Sequence, residues 1–101
     1  MTSFGEYIRD NRIRKNWTQT EFGAQLGINS SAISKIENGS KALSKKKLNL
    51  LSQIFKVPIQ EVKELYYADK FTNELIANNC TTKVIERMKV SMETKNKLHE
   101  R

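Results

Sequence analysis

The side chains of this 101-residue chain that could do chemistry are mostly cationic or hydroxyl groups. One cysteine, Cys80, and one histidine, His99, are present, and together they can build neither an internal disulfide nor a zinc site. The carboxylates are scattered along short amphipathic segments and supply no paired acid and base. We therefore expect no enzyme activity, no metal and no cofactor, with Cys80 a packed or idle thiol in a reducing compartment.

Positive charge is the main binding resource of the chain. The formal net charge is +7 and the isoelectric point is near 9.7, which suits a polyanionic partner, either nucleic acid or an acidic membrane surface. Residues 1–57 hold ten Lys and Arg against four Asp and Glu, whereas residues 58–101 hold eight against seven. The basic first half is therefore the expected partner-facing half, and the balance favours nucleic acid.

Targeting signals are not evident. No apolar run approaches the roughly 18 residues that a membrane span requires. The first residues, MTSFGEYIRDN, lack the apolar segment of a signal peptide. We expect a cytoplasmic protein with no membrane partner.

Capping residues and helical spacing of apolar residues predict an all-α chain. Ser3, with a glutamate three residues later, has the spacing of a capping box and predicts a first helix that reaches about Lys15. Thr18 followed by Glu21 repeats this pattern and begins a second short helix. Gly27 can end that helix in the left-handed conformation.

The third helix is predicted from Asn29, which is a good N-cap, to the break at Asn38-Gly39. Its apolar residues Ala32, Ile33 and Ile36 recur at helical spacing and should point toward the core. The polar positions of the same helix are then left on the outside.

Two more helices complete the predicted compact part. Ser44 can cap a fourth helix, and Pro58 suits the first turn of a fifth helix that ends near Tyr67. This pattern predicts a compact five-helix domain over residues 1–67 and a helical C-terminal extension over residues 68–101.

The extension is predicted in separate pieces. Apolar residues between 71 and 76 indicate one helix, and Asn78-Asn79 indicates a break. Thr81 or Thr82 can cap a last helix that places Ile85, Met88 and Met92 on one stripe. From Glu93 onward the chain is polar, and we expect a frayed end.

A helix that ends at a glycine, a short turn and a second helix form the layout of a helix-turn-helix, an outline that generic helical hairpins share. Over about residues 4–67 this sequence resembles the Cro/lambda-repressor-like (xenobiotic response element type) regulators. The matching positions are Thr18, Gln19, Phe22, Gly23, Leu26, Gly27, Ile28, Ile33, Ile36, Glu37 and Gly39. The resemblance implies a lambda-repressor-like domain and a sequence-specific, double-stranded DNA-binding transcriptional regulator that acts as a repressor or autoregulator in a prokaryotic or phage-like, nucleoid-associated setting.

Several of these positions also have a physical reason. Gly23 lies where helices two and three should approach closely, and Gly27 should need a positive φ angle. In the resembled family an arginine of helix one pairs with the glutamate that ends the recognition helix, and Arg12 and Glu37 occupy the matching places. A guanidinium can bind a carboxylate through two hydrogen bonds, so the resemblance implies a structural ion pair; the alternative is two solvated surface charges.

The outward positions of helix three are the candidates for reading DNA bases in the major groove. By resemblance, Ser30, Ser31 and Lys35 match base-contacting positions. Serine hydroxyls can donate or accept and read bases permissively, whereas a lysine prefers guanine O6 and N7. The predicted base-contacting set is Ser30, Ser31, Lys35, Asn29 and Ser34.

Phosphate anchors should flank this helix, because backbone contacts set the register before bases are read. Gln19 matches the family's phosphate-binding glutamine, and Lys45, Lys46 and Lys47 crowd the start of helix four. A lysine run is often only a solvated face, but at a helix N-terminus it opposes the macrodipole, a local cost that a phosphate would relieve. The predicted set is Thr18, Gln19, Asn38, Ser40, Lys41, Lys45, Lys46 and Lys47.

Operators read by this class are commonly palindromic, which predicts a homodimer. The predicted dimer surface is formed by Leu65, Tyr66, Phe71, Leu75, Ile76, Ile85 and Met88, which could instead pack back on the domain. Two alternatives share the same DNA-binding domain. One is an antitoxin whose tail binds a partner protein, and the other is the controller protein of a restriction-modification system.

Overall fold

The computed structural model describes residues 3–99, and in this range it is built from helices and turns with no strand. The all-α prediction is confirmed. The helices are α1 Phe4–Arg14, α2 Gln19–Leu26, α3 Ser30–Glu37, α4 Leu48–Phe55, α5 Ile59–Ala77 and α6 Lys83–His99, with a 3-10 turn at Lys45–Lys47 directly before α4.

The chain divides into two compact units, with the boundary between Asp69 and Lys70. The first unit contains α1 to α4 and the beginning of α5. The second unit contains the rest of α5 and α6. The residues of the hydrophobic core all belong to the first unit.

Local signals begin and end the helices of the first unit. The Ser3 hydroxyl accepts a hydrogen bond from the backbone amide of Glu6 (3.2 Å), which caps α1. Asn16, with φ of 58°, and Lys56, with φ of 56°, adopt the left-handed conformation beyond the ends of α1 and α4. The left-handed residue changes the direction of the chain after the helix, so that the next helix can pack against the same core.

The core is centred on Phe22 of α2, whose side chain is completely buried. The Phe22 ring stacks on Phe55 of α4 (5.4 Å between centroids) and on Trp17 (6.2 Å). Leu26 and Leu51 are also fully buried, and Ile33 is 1% exposed. Truncating a buried phenylalanine costs about 3–5 kcal/mol, so this cluster is a main source of the first unit's stability.

A close backbone approach joins α1 to the end of α3. Gly5 of α1 is buried against the carbonyl oxygens of Ile36 and Glu37, and a Cβ atom at Gly5 would lie 2.7 Å from the Glu37 oxygen. Sequence patterns do not reveal this requirement, because the contact joins residues more than thirty positions apart. Only glycine allows α1 to pack this closely on α3.

The predicted bounds of helix five and of the helix after it are wrong. Helix five does not end near Tyr67: α5 continues without interruption to Ala77 and includes the separate helix predicted over 71–76. No glycine or proline falls between Ile59 and Ala77 to stop it. The break at Asn78-Asn79 is confirmed, with Asn79 at φ of 56°.

The end of the chain is more helical than expected. α6 begins after Thr81, whose hydroxyl accepts a hydrogen bond from the Lys83 amide (3.4 Å), and it continues past Glu93 to His99. The predicted fraying from Glu93 is therefore wrong up to His99; residues 100 and 101 lie outside the described residues. Among the helices described, none has the length and apolar character needed to cross a membrane.

Candidate nucleic-acid interface

The segment from Thr18 to Asn29 forms a helix and a turn closed by local hydrogen bonds. The Thr18 hydroxyl accepts from the Glu21 amide (3.0 Å), and the Glu21 carboxylate accepts from the Thr18 amide (2.8 Å), which completes the predicted capping box. The hydrogen bond that the Thr18 backbone amide donates to the carboxylate is the largest cause that lowers the pKa of Glu21, and the Thr18 side chain adds to it. Gly27 ends α2 with φ of 79°, as predicted.

The turn packs tightly on α2 and α3. The backbone amide of Ile28 donates to the Gly23 carbonyl (2.9 Å). A Cβ atom at Gly23 would collide with the Ile28 carbonyl oxygen and would lie 3.3 Å from Cγ1 of Ile33. The predicted close approach at Gly23 is present. The atom nearest to a Cβ at this position belongs to the turn, and the next nearest belongs to α3.

α3 presents a polar face to solvent and buries its opposite face. Ile33 is 1% exposed, Ile36 4% and Glu37 7%. Ala32 is half-buried, so it lies at the edge of the packed face. The residues on the exposed side are Asn29, Ser30, Ser31, Ser34, Lys35 and Asn38.

Asn29 is already engaged as the N-cap of α3. Its Oδ1 atom accepts from the Ala32 amide (2.8 Å). The Nδ2 group and the second lone pair of Oδ1 remain for contact with a base.

Arg12 and Glu37 form the predicted ion pair. Arg12 Nε donates to Glu37 Oε2 (2.6 Å) and Arg12 Nη2 donates to Glu37 Oε1 (3.0 Å), while Nη1 donates to the Trp17 carbonyl (2.9 Å). The hydrogen bonds with Glu37 raise the pKa of Arg12, against the opposing effect of burial. The pair therefore ties α1 to the last residue of α3.

Gln19 joins this network, which the sequence did not predict. Its Nε2 atom donates to Glu37 Oε1 (3.2 Å), and its side chain is half-buried. One proton of the amide is used in this bond, and the second remains for a phosphate. The first backbone amides of α2 also lack an acceptor within the helix, as in any helix N-terminus.

A polar cavity opens beside the network, at the junction of α1, α2 and α3. Its lining residues are Arg9, Arg12, Gln19, Ser34, Glu37 and Asn38. Arg9 was missed in the sequence analysis; its position three residues before Arg12 on the same helix was the signal that could have identified it. Arg12 is paired with Glu37, which is the carboxylate of the cavity. Arg9 is therefore the cation that has no carboxylate partner among the lining residues.

The residues after α3 form a tight turn. The Ser40 amide donates to Asn38 Oδ1 (2.9 Å) and to the Lys35 carbonyl (3.0 Å), and the Ser40 hydroxyl donates to the same carbonyl (3.3 Å). In this geometry Ser40 stabilises the turn, and its contact with a phosphate stays a prediction. Lys41 is exposed.

The predicted lysine cluster forms the 3-10 turn and not the first turn of α4. Ser44 caps this turn by accepting from the Lys46 amide (3.4 Å). Lys45 and Lys46 are exposed, but Lys47 is half-buried, with its ammonium beside Gly27. The structure thus separates Lys47 from its two neighbours.

The residues predicted for a dimer surface do not share one environment. Tyr66 lies in the core of the first unit, and its hydroxyl donates to the Leu43 carbonyl (2.8 Å). This burial corrects its predicted place on a dimer surface. Leu65 is half-buried against the same core. Leu75 is half-buried, and the remaining predicted residues are exposed: Phe71 (41%), Ile76 (68%), Ile85 (55%) and Met88 (39%).

A family model described as helix-turn-helix matches residues 8–62 of this chain. Among solved structures, the P22 c2 repressor in complex with a synthetic operator is 24% identical, with a TM-score of 0.56 over 61% of this chain and 94% of that one. The restriction-modification controller protein C.AhdI from Aeromonas hydrophila is 22% identical, with a TM-score of 0.52 over 58% and 86%.

A SinR protein/SinI protein complex is 16% identical, with a TM-score of 0.51 over 93% of this chain and 98% of that one. No curated protein matches the sequence. At these identities the solved structures show a common fold.

Proposed function

The chain belongs to the Cro/C1-type helix-turn-helix family of DNA-binding transcriptional regulators, and we propose that it reads a specific operator through α3 placed in the major groove. The observation that carries the proposal is the two-sided character of α3. Its inner side is buried and pinned at Glu37 by Arg12, while its outer side presents short hydroxyls and a single lysine. Such a rigid helix with a polar outer side can approach base edges.

Within α3, Ser30, Ser31 and Lys35 are the proposed main base contacts, with Ser34 and the Nδ2 group of Asn29 at the margins. Lys35 is the one residue of the set that carries a charge, and guanine O6 and N7 are its preferred acceptors. Discrimination among operators should therefore depend strongly on Lys35.

Phosphate contacts are proposed on both sides of α3. Before α3 in the chain, Arg9 and Gln19 line a cavity that the Arg12–Glu37 pair leaves without net negative charge, and Thr18 caps the start of α2. After α3 in the chain, Asn38 lies at the edge of the same cavity, and Lys41, Lys45 and Lys46 are exposed. These groups supply the sequence-independent part of the affinity.

Two matched lysine substitutions test the proposed division between base contacts and phosphate contacts. We expect Lys35→Ala to weaken binding to the selected operator by roughly 1–3 kcal/mol and to relax the preference at one base pair. We expect Lys46→Ala to weaken operator and random DNA alike and to reduce the salt slope by about one unit. Lys63→Ala on α5 removes the same charge outside the proposed interface and should change neither quantity.

The measurement is a selection on random duplex DNA, followed by binding of each variant to operator and scrambled duplexes at several salt concentrations. Equal losses on operator and scrambled DNA for Lys35→Ala would remove it from the base readers. If the selection enriches no sequence, operator reading by α3 is excluded.

We further propose that the protein is a dimeric repressor or autoregulator that binds a palindromic operator. The support is the exposed apolar face of α6, where Ile85, Met88 and Met92 recur at helical spacing with 55%, 39% and 61% exposure. A two-fold dimer on half-sites about one helical turn apart would bury this face.

The dimer is tested by sedimentation equilibrium of the full chain. Met88→Lys on the stripe should shift the protein toward monomer, whereas Val90→Lys on another side of α6 should not. A wild-type monomer whose α6 amides exchange freely would contradict the dimer and favour the alternative, an antitoxin-like or controller protein whose tail binds a second protein. The similarity to the SinR protein/SinI protein complex over 93% of this chain is the observation that keeps that alternative in view.

A further inference from the structure

Lys47 differs from the two lysines that precede it. Lys45 and Lys46 are exposed, whereas Lys47 is half-buried. Its Nζ atom lies so close to Gly27 that a Cβ atom at Gly27 would be 3.1 Å from it. The ammonium is therefore directed at the turn between α2 and α3.

Gly27 is the C-cap of α2, the end of a helix where backbone carbonyls lack partners and partial negative charge accumulates. A cation in the last turn usually complements this end. The last turn of α2 contains no basic residue. The ammonium of Lys47, which comes from another part of the chain, is a cation that lies beside this end of the helix.

The backbone of Lys47 is anchored at the start of α4. The Lys47 amide donates to the Ser44 carbonyl (2.9 Å), which closes the 3-10 turn. The next residue, Leu48, is 3% exposed and begins α4. Lys47 thus joins the start of α4 to the turn that leads into α3.

We propose that Lys47 is a positioning residue: its ammonium complements the partial negative charge at the C-terminal end of α2 and so stabilises the α2–α3 turn, while phosphate contacts are left to Lys45 and Lys46. This inference revises the predicted role of the third lysine. The consequence of the Lys47 role for DNA reading rests on the proposed function, whereas its effect on the α2–α3 turn does not. A Cβ atom at Gly27 would make the ammonium shift by a few tenths of an ångström.

Lys47→Met and Lys46→Met are the matched variants, because each removes one charge from adjacent positions and keeps most of the aliphatic stem. For Lys47→Met we expect a loss of roughly three- to fivefold in the folding equilibrium constant and shifted amide resonances of Gly27 and Ile28. The slope of log K against log salt for operator binding should be unchanged. For Lys46→Met we expect unchanged stability and a slope reduced by about 0.9.

Two further variants separate positioning from simple packing. Lys47→Arg keeps the positive charge and should recover most of the stability that Lys47→Met loses. Gly27→Ala should reduce the folding equilibrium constant less in the Lys47→Met background than in the natural chain, because no ammonium then has to shift away from the new Cβ atom.

The proposal is overturned if Lys47→Met lowers the salt slope as Lys46→Met does and leaves stability and the two amide resonances unchanged. It is also overturned if Gly27→Ala and Lys47→Met act additively on folding. A protein that binds no specific duplex would contradict the proposed function alone, since the folding and resonance measurements still decide the role of Lys47.

Discussion

Removing one partner of the Arg12–Glu37 pair should destabilise the first unit strongly. The side chains of Arg12 and Glu37 are only 12% and 5% exposed, and two hydrogen bonds of 2.6 and 3.0 Å join them. Truncating one member of such a pair leaves a buried charge uncompensated, at a cost of about 3–5 kcal/mol. An exposed pair would contribute less than about 1 kcal/mol.

The expected loss of folding stability depends on which groups each substitution leaves without a partner. Arg12→Met leaves the Glu37 carboxylate with only the Gln19 amide and also frees the Trp17 carbonyl, so we expect a loss of about 4 kcal/mol. Glu37→Gln keeps an acceptor for the partly solvated guanidinium, and we expect a loss of about 2 kcal/mol. Since typical domains have about 5–15 kcal/mol of stability, both variants should still fold.

The decisive measurement is the double-mutant cycle. The double variant Arg12→Met/Glu37→Gln contains no buried charge at this site, so it should cost about 3 kcal/mol, against about 6 if the two losses were independent. Urea unfolding followed by circular dichroism and by the fluorescence of Trp17, the only tryptophan, gives these values.

The control is Arg9→Met, one turn earlier on α1, where the arginine is exposed and the change should stay within about 0.5 kcal/mol. A coupling energy below about 0.5 kcal/mol between Arg12 and Glu37 would refute the reasoning. It would mean that the pair behaves as two solvated charges.

Two further predictions concern backbone geometry and pH. Gly5→Ala should destabilise the protein by about 1–3 kcal/mol despite the better helix propensity of alanine, because its Cβ atom would strike the carbonyls that end α3. The control is Gly39→Asn. Gly39 has φ of 85° and open space around it, so this substitution should be nearly neutral. Glu21, whose pKa is lowered by its bonds to Thr18, should stabilise α2 fully above its ordinary pKa near 4.5 and lose this contribution as pH falls through the lower folded value. Glu21→Gln should flatten that acid branch of the unfolding curve, and an unchanged pH dependence would contradict the cap.

The sequence by itself determined the helix-turn-helix, since the signals that form it act over a few residues. The Thr18–Glu21 cap, the left-handed Gly27 and the Asn29 cap each satisfy backbone groups within one turn. Apolar spacing was enough to identify the buried side of α3, because the period of a helix requires no knowledge of its partner.

Longer helices were harder to delimit from local signals. The length of α5 was hard to predict because the residues after Leu65 mix alanine, a strong helix former, with tyrosine, aspartate and threonine, which favour a helix only weakly. Asn78-Asn79, a strong local signal, marked the actual end correctly.

Only the tertiary structure decided how side chains of similar sequence character divide their roles. Lys45 and Lys46 reach solvent while Lys47 points at Gly27, and Tyr66 turns its hydroxyl to Leu43 in the core. Each outcome depends on a neighbour about twenty residues away along the chain. The composition and period of one segment carry no information about such a neighbour, because the contact exists only once the helices have packed.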